Sequence, residues 1–314
     1  MVTLDDITAA RERVGKKLHR TPMARSTSLG SQTGTRLHFK LEMFQKTGSF
    51  KVRGVLNKLQ HLTADEKARG VISMSSGNHA QALAYGATLS GIASTVVMPS
   101  WSIASKVEAT RSYGAEVVLT GGDLMEVCDT LREERNLVLV HPFDDPLIIA
   151  GAGTLGLEIL DDVASPDAVL VSIGGGGLIS GIATAIKLRG VPTRVIGVEP
   201  RGASAMSQSL ERGSPVHLKE VRTIADGLAA PFAGEHTLSH VQRYVDEVLL
   251  VSDEEITRAL EIILDRCKVV AEPAAAAAFA PLLFGRVHLP SEATVVVVLC
   301  GGNIDSRRLA QLLG

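Results

Sequence analysis

Residues 168–173 read as a strongly apolar strand that passes directly into Gly174-Gly175-Gly176-Gly177 and then into a helical pattern over 178–188. A strand without polar alternation belongs in a sheet covered on both faces. Four consecutive glycines carry a large entropic cost, so their presence points to a backbone need. They let the chain come close to a ligand, with their amides and the start of the next helix directed at it. A phosphate is the natural occupant of such a turn. No Lys-Ser/Thr pair follows, so this is not an NTPase phosphate loop. The GxGxxG spacing of a dinucleotide site is matched only loosely. Glu199 lies near the distance of a ribose-binding acid but belongs to a Glu-Pro at a strand end.

The rest of the chain alternates in the same way. Residues 5–19 read as an amphipathic helix ended by Arg20-Thr21-Pro22, and residues 37–42 alternate like a strand. Further strands are predicted over 71–74, 94–98, 116–119, 137–140, 194–198, 247–251 and 294–299. Helical patterns cover 78–89, 102–113, 122–135 and 148–161. A longer one runs from Asp253 into the alanine run 274–278, read as one tightly packed helix. This order predicts an α/β fold with two open, mostly parallel sheets. Chain crossings between domains are expected near Glu42 and near 141–146.

At 314 residues the chain is long enough for two ordinary domains or one large one. A net charge of −2 and the absence of a long basic run exclude a general nucleic-acid binder. Cys128, Cys267 and Cys300 form no CxxC pair, which fits a reducing compartment and gives no metal signal. Met1-Val2-Thr3-Leu4-Asp5-Asp6 looks like a capped helix, and no apolar run nears the roughly 18 residues of a membrane helix. The expectation is a cytoplasmic protein with no membrane partner.

Three stretches besides the glycines carry chemistry. Thr47-Gly48-Ser49-Phe50-Lys51-Val52-Arg53-Gly54 is a polar turn entering a helix, with Ser49 as candidate N-cap and Lys51 in the first helical turn. The positive end of a helix dipole disfavours the protonated amine, and such a lysine can form a Schiff base with an aldehyde. Ser75-Ser76-Gly77-Asn78-His79-Ala80 follows a strand and opens a helix, an arrangement that suits a small carboxylate or serves as a plain helix cap. Cys300 ends the last apolar strand, where an open α/β sheet has its ligand crevice. A reactive lysine, a phosphate cradle and a carboxylate cradle together suggest pyridoxal phosphate and an amino acid.

These stretches, with Gly197-Val198-Glu199-Pro200, Ala225-Asp226-Gly227 and Cys300-Gly301-Gly302-Asn303, resemble the serine/threonine dehydratase family. That family includes the serine racemases and belongs to the fold type II, tryptophan-synthase-β-like pyridoxal-phosphate enzymes. The resemblance covers essentially the whole chain in the family's motif order. It implies a large cofactor-binding domain from 1–42 plus 144–314 and a small substrate-closing domain at 43–143.

The same resemblance implies roles for individual residues. Lys51 would hold the cofactor and then take the substrate α-proton. Phe50 would pack on the cofactor ring, Asn78 would hydrogen-bond its hydroxyl, and Gly174, Gly175, Gly176, Gly177 and Leu178 would bind its phosphate. Cys300 would be a neutral partner of the pyridine nitrogen. Ser75, Ser76, Gly77, Asn78 and His79 would hold the substrate carboxylate. Ser76 also matches the second, opposite-face base of the racemases. Glu199 matches a cation ligand, with Ala203 as a carbonyl donor, while Ala205 stands where a second carboxylate is expected. A monovalent or divalent cation is therefore left open.

The activity implied is β-elimination from a β-hydroxy amino acid such as L-threonine or L-serine, giving a 2-keto acid and ammonia. A dehydratase specialised for 3-hydroxyaspartate or a hydroxyectoine-derived substrate is an alternative, as is a serine or aspartate racemase. Phe143-Asp144-Asp145 looks like the dehydratase form of its segment. The resemblance also implies a homodimer.

Overall fold

The structure is a computed structural model describing residues 1–314. Its ten strands are β1 (Met23–Arg25), β2 (Thr35–Leu41), β3 (Val71–Met74), β4 (Ser94–Pro99), β5 (Glu116–Thr120), β6 (Val138–Leu139), β7 (Ala168–Ser172), β8 (Arg194–Pro200), β9 (Glu247–Val251) and β10 (Ala293–Leu299). They form a six-stranded sheet in the order β1-β2-β10-β7-β8-β9 and a four-stranded sheet in the order β5-β4-β3-β6. Every pairing is parallel except that of β1 with β2 at the edge. The fold is therefore α/β with two mostly parallel sheets, as the alternation predicts. The smaller sheet takes all its strands from one contiguous stretch, whereas the larger draws on both ends of the chain.

The apolar strands explain the layering. β7 is buried throughout, and Val295–Leu299 of β10 is too, so helices must cover both faces. The helices Lys51–His61, Pro146–Asp162 and Gly177–Leu188 pack in series at small residues. A methyl on Gly151 would overlap the Arg53 carbonyl and Gly54, so the Gly151-Ala152-Gly153 run lets the lysine-bearing helix approach closely. Ala152 itself is buried in the main apolar core. A larger side chain there would overfill that core.

One sequence expectation fails. The pattern running from Asp253 to the alanines is not one helix. Helix Asp253–Ile262 loosens into a π turn, Ile263–Cys267, and stops at Lys268, which adopts a left-handed conformation (φ 58°). A new helix, Pro273–Ala276, begins after an extended link. Proline lacks an N–H and favours the first helical turn, so Pro273 starts a helix but cannot sit inside one. The break delivers Glu272 to the interior. Helices Thr27–Thr33, Ala205–Arg212, Glu235–Tyr244 and Ser306–Leu313 also form, beyond the helices that the sequence pattern predicts. No helix is long and apolar enough to cross a membrane.

Candidate active site

The lysine turn is held by the end of the last strand. Thr47 and Gly48 both have positive φ (62° and 70°), which turns the chain so that Ser49 lies extended beside Gly301. Phe50 donates its N–H to the Cys300 carbonyl at 3.0 Å, and Gly302 donates to the Gly48 carbonyl at 3.0 Å. Ser49 is extended and Phe50 already helical, but the buried Ser49 hydroxyl has no partner. It is therefore not the side-chain cap that the sequence suggests. Lys51 opens the helix and its Nζ donates to the Pro142 carbonyl at 2.7 Å.

Burial lowers the Lys51 ammonium to about 8, against a smaller opposing pull from Cys300 and Glu272. The leading cause is desolvation.

Phe50, Lys51, Ser75 to His79, Gly174 to Leu178 and Cys300 all line one cavity of about 720 Å³. It lies at the C-terminal ends of β3, β7 and β10, where parallel strands leave their crevice. Two of its walls are rows of unused backbone donors. None of the N–H groups from Gly174 to Ile179 donates within the chain, and the same holds for Ser76, Asn78, His79 and Ala80. Buried amides without acceptors are rare, and both rows sit at the start of a helix. The glycine row fits a phosphate, with Gly176 at φ 91°. A methyl on Gly175 would overlap the Phe143 ring, so the turn needs its glycines. The second row fits a carboxylate.

The side chains divide the remaining work. Asn78 Nδ2 donates to Glu272 Oε1 at 2.6 Å, and Asn78 Oδ1 accepts from Asn303 Nδ2 at 2.8 Å. Asn303 Nδ2 also donates to the Thr47 carbonyl at 2.8 Å, linking this network to the lysine turn. His79 is buried, and its Nε2 lies 3.1 Å from the Val140 carbonyl. Burial and nearby Lys51 hold it down to about 3, so the ring is neutral. Cys300 is buried with Sγ 3.5 Å from Ser172 Oγ. Burial and Glu272 push its thiol up to about 12, so it too is neutral.

Glu199 is the one predicted site residue that does not line this cavity. Its Oε1 accepts from the Met206 N–H at 2.9 Å. Its Oε2 accepts from the Ser207 N–H at 2.8 Å and the Ser207 hydroxyl at 2.6 Å. Both oxygens thus cap the helix Ala205–Arg212. No group of three or more His, Cys, Asp or Glu side chains could hold a metal ion.

Sequence reasoning missed Glu272 and the Lys106–Asp226 ion pair, which also line the cavity. The signal for Glu272 was available as a lone carboxylate directly before a proline in an alanine-rich apolar stretch.

Comparison with known proteins agrees with this geometry. Residues 15–301 match the family described as pyridoxal-phosphate dependent enzyme. The chain is 42% identical over 316 residues to an L-threonine ammonia-lyase of Thermotoga maritima, a match that spans all of this chain and 78% of that one. The solved structure of maize serine racemase superposes with a TM-score of 0.94 at 38% identity, over 99% of this chain and 96% of that one. The processed form of threonine deaminase isoform 2 from Solanum lycopersicum superposes with a TM-score of 0.93 at 34% identity, over 98% and 91%. The chain belongs to the pyridoxal-phosphate-dependent enzymes, in the fold type II branch of the serine/threonine dehydratases and serine racemases.

Proposed function

We propose that the protein is a hydroxy-amino-acid ammonia-lyase: it eliminates water from a β-hydroxy amino acid such as L-threonine or L-serine and yields a 2-keto acid and ammonia. One observation carries the reading. A half-buried amine with a lowered pKa, Lys51, shares a cavity with two rows of backbone donors, one suited to a phosphate and one to a carboxylate.

Pyridoxal phosphate, when bound, supplies an electron sink for the substrate's α-carbon. The chain's own groups do the rest. Lys51 would hold the cofactor aldehyde through its amine and would serve as the base for the substrate α-proton. The amides of Gly174 to Leu178 would hold the phosphate. Phe50 would pack on the ring, and Asn78 has a remaining Nδ2 hydrogen that it would offer to the ring hydroxyl. Cys300, as a neutral thiol, would place no negative charge at the ring nitrogen. The free amides of Ser76, Asn78 and His79 would fix the substrate carboxylate and so orient the α-hydrogen toward Lys51. We read 43–143 as a small domain that closes over the cavity and excludes water, and the active species as a homodimer. A cation at Glu199 forms no part of the proposal.

The test is ammonia release from both enantiomers of serine and threonine and from the 3-hydroxyaspartates. Fast release from L-threonine or L-serine supports the reading. Fast release only from an acidic substrate makes this a specialised dehydratase. No release from any of them overturns it.

Racemisation is the second reading. Ser76 lines the cavity and its hydroxyl makes no hydrogen bond within the chain, leaving it free to act as a base. Ser76→Ala should then abolish racemisation and spare elimination from the L-substrate.

A further inference from the structure

Glu272 is only 1% exposed, yet it lines two hollows. One is the active-site cavity. The other, about 300 Å³, opens among Thr223, Asp305 and Arg308 and shares Lys106, Asp226 and Glu272 with the first. Glu272 Oε1 accepts from Asn78 Nδ2 at 2.6 Å, while Oε2 has no partner at all. The residue stands at the N-cap of helix Pro273–Ala276, but its side chain does not cap that helix. It is instead directed past Gly301, where a methyl would collide with Oε1.

A glutamine would fill the same volume and satisfy Asn78 equally well. An ionised carboxylate in this position loses several kcal/mol of hydration, and one hydrogen bond does not restore it. The residue type therefore calls for a reason beyond packing.

We propose that Glu272 is a further residue of the active site: it fixes the Asn78 amide through Oε1 and holds an exchangeable proton on the cavity wall at Oε2, with the smaller hollow as the route to solvent. Asn303 holds Asn78 Oδ1 and Glu272 takes one Nδ2 hydrogen, so the amide cannot flip. Its second Nδ2 hydrogen is left for a ligand. A group bound beside Asn78 meets a fixed donor and, next to it, a carboxyl that donates when protonated and accepts when ionised.

The ionisable groups around Glu272 are Lys51, Lys106, Asp226 and Cys300. Burial and Asp226 favour the proton, Lys106 and Lys51 oppose it, and the balance lies at about 7. The identity of the bound group rests on the lyase reading above, whereas the proton is a property of the chain itself.

The first test is an infrared difference titration of the cofactor-free protein across neutral pH. A protonated carboxylic acid gives a carbonyl stretch distinct from that of a carboxylate. Glu199 is also raised to about 7 and contributes a second such band, identified by Glu199→Gln. Glu272→Gln should remove the other band. In the pyridoxal-phosphate-loaded protein, Glu272→Gln should move the pH midpoint of the visible absorbance by about one unit or more, about tenfold in proton affinity. Should the glutamine variant fail to fold, Glu272→Asp should keep an acid band at a changed midpoint.

If the titrating band disappears only with Glu199→Gln, or if both Glu272 variants leave bands and absorbance midpoint unchanged, the proposal falls. An infrared band assigned to Glu272 without ammonia release would remove the lyase reading alone. Ammonia release without the band would remove this proposal alone.

Discussion

Phe50 and Cys300 are joined by a backbone hydrogen bond of 3.0 Å, so the residue before the reactive lysine is tied to the residue that follows the last strand. The matching bond from Gly302 to Gly48 makes this a two-bond bridge. Lys51 is thereby set in register with the large sheet before any ligand arrives. A nucleophile fixed in this way needs little rearrangement to meet a bound aldehyde.

The lowered Lys51 value has a direct kinetic consequence. The amine must be neutral to attack an aldehyde, and burial brings its titration to about 8 from the usual lysine range. Capture of pyridoxal phosphate by the cofactor-free protein should therefore speed up as pH rises toward 8 and level off above it. Stopped-flow absorbance measures this rate. A rate still climbing steeply well above pH 9 would mean that Lys51 keeps an ordinary lysine value.

Two residues beyond Lys51, Arg53 anchors the same helix from inside. Its guanidinium is fully buried, with Nε and one terminal nitrogen on Glu42 at 2.7 and 2.8 Å and further bonds to Glu158 and Thr154. Arg53→Met removes the cation and leaves Glu42 buried with no counter-charge. Breaking a buried pair of this kind costs about 3–5 kcal/mol. Denaturant unfolding at pH 7 should show a loss of that size. The loss should shrink at pH 5, because carboxylates deprived of Arg53 can take up protons. An equal loss at both pH values would show that charge is not the cause.

Glu199 gives a second pH test. Burial raises its carboxyl to about 7, against the hydrogen bonds from Ser207 and Met206 that favour ionisation. The folded protein then binds a proton that the unfolded chain releases near the ordinary glutamate value. Stability from this group is present at low pH and is lost as pH rises through about 7. Relative to Glu199→Gln, the wild type should lose on the order of 3 kcal/mol between pH 4.5 and pH 7. Comparing the two proteins cancels the opposite contribution of buried neutral His79 and His141, which both proteins share. A constant difference across the range would contradict the raised value.

Much of this site was legible in the sequence, and for physical reasons. β7 and β10 are apolar because both faces of their sheet are covered. The glycines follow from crowding: Gly175 and Gly177 face Phe143, Gly176 has a positive φ and faces Met206, and Gly174 lies close to Leu228. Lys51, Asn78 and Cys300 sit at strand ends and helix starts, which local pattern locates well. What could not be read depends on distant chain segments. The bridge from Phe50 to Cys300, the Asn303–Asn78–Glu272 network and the Lys106–Asp226 pair each join segments that only the fold brings together. The break before Pro273 was hidden because helical periodicity continues on both sides of it. The helix-capping bonds of Glu199 to Met206 and Ser207 were likewise not legible, because a carboxylate that caps a helix looks, in sequence, like one that holds a cation.

Trapping the lysine tests the account most directly. The protein is loaded with pyridoxal phosphate, reduced with borohydride and digested, and the modified peptide is found by mass spectrometry. The account predicts a single pyridoxyl label on Lys51, absent from Lys51→Ala together with the visible absorbance. A label on Lys106 or another lysine, or no label on a protein that binds the cofactor, would contradict it.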